Sequence, residues 1–430
     1  ISSIKNYVKN LVENVQVPAA KAKNPYSSSI YSTEAKLTTD DINENTDSNK
    51  IITGTCGDNV NFKLNKDTGE LFIYGSGKMI DLGLFDKSLW NEYKNDINSV
   101  VINNSVTSIG DYAFGGCVKI TSVSIPASVT SIGEGAFSNN IMLSSITIPE
   151  SVTSIRDGAF RYSGLTSIFI PKSVNRINNN VFGSCSKLEA INVSVENKAY
   201  TSKDGVLFKH DKTELIVCPG GKKGRYSIPY GVKTIKGYAF QDCSELSSII
   251  IPPSVKSLIS GTFHNCKKLS LVIFLGESIS VSSCNFNYCP NLKEVHVLPS
   301  YGSDSFCGKN VIRCIKTASC GASTKYIFDN CTGTLFISGH GAMSDYTNEP
   351  APWSLYKDNI TSIIIEDEIT SVGNNCFSEC IGLNSVIIPT SVVSIDDSAF
   401  SGCSNLENIS FEEESNLTII GNYSFYGCSK

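Results

Sequence analysis

Leu143-Ser-Ser-Ile146-Thr-Ile148-Pro149-Glu-Ser-Val152-Thr-Ser-Ile155-Arg-Asp-Gly-Ala159-Phe160 is the stretch that decides the fold. The spacing of Leu143, Ile146 and Ile148 reads as a short strand with one buried edge. Pro149 has no N–H, so it ends that strand and turns the chain. Pro126, Pro171, Pro229, Pro252 and Pro389 stand in the same place. Val152 and Ile155 then begin a second side, and Phe160 closes a third. The phenylalanine recurs as Phe114, Phe137, Phe182, Phe240, Phe263, Phe286, Phe377, Phe400 and Phe425, with most steps 23 residues long. One such unit cannot bury its apolar edge alone, so neighbours must stack, with strands roughly 4.8 Å apart.

Three residues after most of these rings comes a cysteine: Cys117, Cys185, Cys243, Cys266, Cys289, Cys380, Cys403 and Cys428. These are half of the chain's sixteen cysteines. The position has two readings, a small buried hydrophobe inside the turn or a redox or metal ladder; packing is the reading adopted. No CxxC pair occurs, and His210, His264, His296 and His340 are scattered, so zinc-finger spacing is absent. No metal or cofactor is expected.

The repeated Ile-Pro-x-x-Val-x-x-Ile-x-x-x-Ala-Phe string resembles the BspA-like, or Treponema pallidum-type, class of leucine-rich repeats. The resemblance covers about Ile51 to Lys430. It implies a repeat solenoid, a β-rich leucine-rich-repeat array with hairpin insertions and β-rich caps. The family is known from surface proteins of mucosa-dwelling bacteria and anaerobic protist parasites. Adhesion to host cells or matrix is therefore what the resemblance implies.

Bulk properties agree with a stacked array. At 430 residues the chain exceeds one compact core, and 41% of its residues are hydrophobic. Charged residues make up 18% and the formal net charge is −5, which argues against nucleic acid, whose phosphates need a basic face. No run approaches the roughly 18 apolar residues of a membrane span. The chain starts without Met or a signal-peptide pattern and reads as a mature or excised piece.

Five segments are expected. Residues 1–50 hold an amphipathic helix with Ile1, Ile4, Val8, Leu11 and Val15 on one stripe, stopped by Pro18 and followed by a polar linker. That helix either packs on its own solenoid or oligomerises. Residues 51–97 form a β-rich cap, 98–300 a first array, 301–359 a second cap and 360–430 a second array that stops in mid-repeat. The caps are duplicates. Gly69-Glu-Leu71-Phe-Ile-Tyr-Gly75-Ser-Gly77-Lys-Met79 recurs as Gly333-Thr-Leu335-Phe-Ile-Ser-Gly339-His-Gly341-Ala-Met343, and Trp90 recurs as Trp353. A hairpin insertion near 195–230, turning at Asp204-Gly205, is expected to project from the first array. The BspA-like resemblance implies a similar insertion.

No catalytic residue is expected, because no His lies near a Ser or Cys in a recognisable elbow. Binding is the better reading. In each first strand the residue between the last two apolar positions points away from the core. Phe169, Ile250, Ile273, His296 and Ile387 stand out there as a face for a protein partner. Lys209, Lys212, Lys222, Lys223 and Arg225 give the hairpin a basic character, usually a solvated loop but suited to an acidic partner. Seven N-x-S/T sequons, at Asn103, Asn192, Asn330, Asn359, Asn408, Asn416 and Asn422, are candidate glycan acceptors. Cys320 and Cys331 flank a strand and turn and could bridge in an oxidising compartment. The expectation is an extracellular or cell-surface, non-enzymatic protein that binds a host surface or matrix protein. The alternative is a subunit of an extracellular filament or coat, built from copies of itself by head-to-tail contacts through the unfinished end.

Overall fold

A computed structural model of the protein describes residues 50–83, 89–283, 286–412 and 415–430. The amphipathic stripe from Ile1 to Val15 lies outside the described residues. From Lys50 onward the chain is one β-solenoid unit, with a single 3-10 turn at Ser354–Asn359 as its only helical element among the described residues.

The first cap is an antiparallel ribbon of Ile51–Thr55, Val60–Asn65 and Glu70–Gly75. Its last strand then pairs in parallel with Ser99–Ile102, which pairs with Ser122–Ser124. The antiparallel ribbon covers what would otherwise be an open strand edge. A second cap repeats the plan. Ile315–Ser319, Thr324–Asp329 and Thr334–Gly339 form its ribbon, and Ser362–Ile365, Ser385–Ile388 and Asn408–Phe411 continue it in parallel.

The third side of each coil is held by a column of stacked rings. Trp90, Phe114, Phe137, Phe160 and Phe182 follow one another at centroid separations of 5.3, 5.3, 5.6 and 5.8 Å. Trp353, Phe377, Phe400 and Phe425 repeat the arrangement at 5.4, 5.2 and 5.4 Å. The tryptophan begins each column, which explains why it recurs in both caps. Around each ring the backbone visits the left-handed region two residues before or after. Tyr112 (φ 53°), Asn139 (60°), Tyr162 (59°), Asn180 (54°) and Ser184 (60°) all do so. Each non-glycine residue there costs about 1–2 kcal/mol. Inter-coil bonds from Phe114 N to Ala136 O (2.9 Å) and Phe137 N to Ala159 O (2.8 Å) offset that cost.

The recurring cysteine is buried at every copy but the last, Cys428, which is half-buried. Its thiol donates to the phenylalanine carbonyl of the preceding coil: Cys185 to Phe160 (3.0 Å), Cys266 to Phe240 (3.1 Å), Cys289 to Phe263 (3.0 Å) and Cys403 to Phe377 (3.1 Å). Where the sequence has Asn140 instead, its amide donates to Phe114 O at 3.1 Å and Cys117 O at 2.8 Å. A side-chain donor small enough for the turn is what the position selects, since an unpaired buried carbonyl is costly.

Three local expectations are corrected. Residues 143–148 adopt no strand, yet Leu143, Ile146 and Ile148 are still buried, and this segment keeps an inter-coil bond from Thr166 N to Ser144 O at 3.0 Å. The hairpin of Tyr200–Lys203 and Val206–Lys209 does turn at Asp204-Gly205, with φ of 53° and 75°, but it does not project. Val206, Leu207 and Phe208 are all buried, and the second strand continues through Glu214–Val217 into the solenoid's second side. Three consecutive apolar residues bury both faces of a strand, so the hairpin becomes part of the wall. The first array also runs past residue 300: Lys309–Ile312 pairs in parallel with Glu294–Val297, and Ser305–Phe306 folds back on it.

Candidate interaction surfaces

Outward positions of the first strands line up in register, so each array presents one row of side chains. In the first array the row runs through Phe72, Val101 and Ser124, then Thr147, then Phe169 beside Asn192. Ser124, Thr147 and Asn192 are exposed and Phe72, Val101 and Phe169 half-buried. Further along, the row continues as Ile250, Ile273, His296 and Ile312. In the second module it consists of Ile327, Phe336, Ile364, Ile387 and Ser410.

These two apolar rows meet. Ile250, Ile273, Leu275, Cys314, Ile315, Ile327 and Phe336 form a separate buried cluster, with Ile312 and Ile364 packed against it. Ile250, Ile273 and His296 are therefore not an open partner face. The second cap lies on them, because burying each such apolar side chain gains about 1.5–3 kcal/mol. Ile387 lies beyond the cover and is 52% exposed.

The hairpin's charges are drawn into the same contact. Lys203 Nζ donates to Glu368 Oε1 at 2.7 Å, and the Arg225 guanidinium lies 5.5 Å from the Phe336 ring centre. Lys325 of the second cap sits 5.8 Å from the Tyr230 ring centre. Burial pushes the Glu366 carboxyl above its ordinary range, against the opposing pull of Ser227, Lys203 and Arg225. Of the five basic residues expected on the hairpin, Arg225 therefore faces the second module. Lys222 donates to Asp204 O at 2.7 Å, Lys223 pairs with Glu189 at 3.3 Å, and Lys209 and Lys212 are exposed. Beside them a groove of about 450 Å³ is lined by Asn178, Lys198, Tyr200, His210, Asp211 and Glu214 among others. Its acids are engaged: Asp211 accepts from Thr213 N (3.0 Å) and Oγ1 (2.8 Å), and Glu214 pairs with Lys236 at 3.5 Å.

All seven sequon asparagines are exposed. A Cys320–Cys331 bridge is not formed; both are free. They sit beyond opposite ends of the six-residue strand Thr324–Asp329, a span of about 20 Å, whereas a disulfide needs Cα atoms within about 7 Å. Cys320 is buried beside Thr324 Oγ1 at 3.5 Å, and Cys331 is exposed. Cys307 is disulfide-bonded. No helix among the described residues is long and apolar enough to cross a membrane.

Stacked coils of 23 residues, closed by a ring column and faced by a parallel strand row, define a leucine-rich repeat solenoid. The family described as BspA type Leucine rich repeat region matches six copies over residues 90–204, 224–334 and 353–430, and the chain belongs to it. A leucine-rich repeat protein from Eubacterium ventriosum is 26% identical, over 88% of this chain and 95% of its own, with a TM-score of 0.51. A leucine rich cell surface protein from Faecalibacterium prausnitzii is 24% identical over 84% and 95% of the two chains, with a TM-score of 0.40. The leucine rich repeat protein of T. pallidum is 25% identical over 57% and 90%, with a TM-score of 0.27. No curated protein matches the chain.

Proposed function

We propose that this chain is a non-enzymatic, extracellular adhesive protein that binds a host-surface or matrix protein through the outward row of its first array, at the exposed Ser124, Thr147 and Asn192. The observation that carries the reading is the contrast between the rows. From Phe72 to Asn192 the outward side chains are uncharged, mixing half-buried apolar groups with exposed hydroxyls and an amide. The continuation at Ile250 and Ile273 is occupied by the protein's own second cap. A row of this kind can bury apolar area and exchange neutral hydrogen bonds with an extended protein segment, the usual mixture in a non-obligate interface.

An extracellular setting is supported by the bonded Cys307 and by the protection of the other cysteines. Among the described free cysteines only Cys331 is exposed and Cys428 partly so; the rest are buried. The exposed sequon asparagines are accessible to glycosylation.

The test uses the full chain, fluorescently labelled, on cultured epithelial cells before and after protease treatment of the cell surface. Saturable, protease-sensitive binding is expected. Ser124→Arg with Thr147→Arg places two charges on the row without touching the core, and should abolish that binding at unchanged thermal midpoint. Undiminished binding by this variant would sink the assigned face. Binding that survives protease treatment would sink a protein partner.

A further inference from the structure

The geometry points to a binding site for a divalent transition-metal ion of the zinc class, formed by His296, Cys314, Asp329 and Cys331 at the junction of the two modules. The four side chains come from separate places. His296 is on Glu294–Val297, near the end of the first array, and Cys314 immediately precedes the cap strand Ile315–Ser319. Asp329 ends Thr324–Asp329, and Cys331 follows in the turn toward Thr334–Gly339. Antiparallel pairing of Ile315 with Asp329 brings Cys314 beside that turn, and docking of the cap on the strand row brings in His296. One donor atom from each residue lies within 4.8 Å of all the others.

The donor set is what selects the ion. Two thiols, one imidazole nitrogen and one carboxylate oxygen suit a borderline-soft cation in tetrahedral coordination. Bond lengths of about 2.0–2.3 Å put neighbouring ligand atoms roughly 3.3–3.8 Å apart. His296 Nδ1 is 2.8 Å from Asp329 Oδ2, and Cys314 Sγ is 3.2 Å from Asp329 Oδ1. The metal-free contacts are thus hydrogen bonds that open by about half an ångström when an ion replaces the shared protons. Asp329 is fully buried and His296 and Cys314 nearly so, while Cys331 at the rim gives access. Asp329 also accepts from the Cys331 amide at 3.0 Å, which fixes its second oxygen as a ligand-orienting contact. Binding one ion expels the two thiol protons to solvent and leaves two metal–thiolate bonds, so affinity rises with pH.

One ligand belongs to the first array and three to the second cap, so the ion would clip the second module onto the strand row it covers. The inference is independent of the adhesive reading above.

The test is titration of the full chain, reduced and stripped with chelator, with Co²⁺ as the optical probe and Zn²⁺ as competitor. One equivalent of Co²⁺ should give a thiolate-to-metal charge-transfer band with tetrahedral visible bands, erased by Zn²⁺. Cys331→Ser, an exposed change that spares the fold, should weaken binding at least tenfold, as should His296→Gln. Zn²⁺ should raise the thermal midpoint of the native chain but not of Cys331→Ser. Absence of the charge-transfer band in the reduced native chain would overturn the site. So would a band kept at full strength in Cys331→Ser, or a Cys314–Cys331 disulfide in protein purified without reductant.

Discussion

Lys203 on the inserted hairpin donates to Glu368 of the second array at 2.7 Å, across 165 residues of sequence. This pair marks the seam at which the protein covers half of its own outward strand row, and most of its testable behaviour follows from that seam.

The hydrogen bond from Lys203 holds the Glu368 carboxyl below its usual range. A depressed folded pKa means stability that is present above the unfolded value of about 4.3 and is lost as pH falls through the folded value. The native chain should therefore melt above Glu368→Gln at pH 7, and the gap should narrow as pH falls below about 4.3. A gap that stays constant over that range would remove the pair from the seam.

Ile273→Asp puts a charge into a fully buried site between the modules. It should cost more than about 3 kcal/mol in urea unfolding. Ile387→Asp, on the same kind of row but 52% exposed, should change stability by no more than about 1 kcal/mol. Equal costs would mean that the second cap does not lie where the structure puts it.

Phe263 is wholly buried, stacked between Phe240 at 5.3 Å and Phe286 at 5.0 Å. Phe263→Ala should cost about 3–5 kcal/mol. Because coils contact only their neighbours, hydrogen exchange should rise most in residues 240–290 and little in residues 100–160. Uniform loss of protection would argue against a one-dimensional stack.

Native-state labelling with a maleimide should modify Cys331 rapidly, Cys428 at the end of the ladder slowly and the buried ladder cysteines only after unfolding. Rapid labelling of Cys185, Cys266 or Cys403 would contradict the hydrogen-bonded ladder.

The coil itself was legible in the sequence. Strand, proline turn and ring corner each have a local cause, and the 23-residue step forces stacking. Trp90 and Trp353 were visible as duplicates, although their role at the head of each ring column needed coordinates. Three features were hidden for physical reasons. Left-handed residues such as Tyr112 and Tyr162 are held by inter-coil bonds, which composition does not reveal. Ile250 and Ile273 look like an open apolar face in sequence because their cover, Ile327 and Phe336, arrives only when the second cap folds back. His296, Cys314, Asp329 and Cys331 follow no metal-binding spacing, since a docked interface rather than a turn gathers them. The outward row was readable as a surface, but not which half of it the protein keeps for itself.

The most direct test of that division is zero-length carbodiimide cross-linking of the native chain, read by peptide mass spectrometry. The structure predicts an amide between Lys203 and Glu368, formed as readily as one between Lys268 and Glu245, which pair within the first array at 2.6 Å. Ile273→Asp should remove the first link and spare the second. Efficient linking of Lys268 to Glu245 without any Lys203–Glu368 product in the native chain would contradict the docked arrangement.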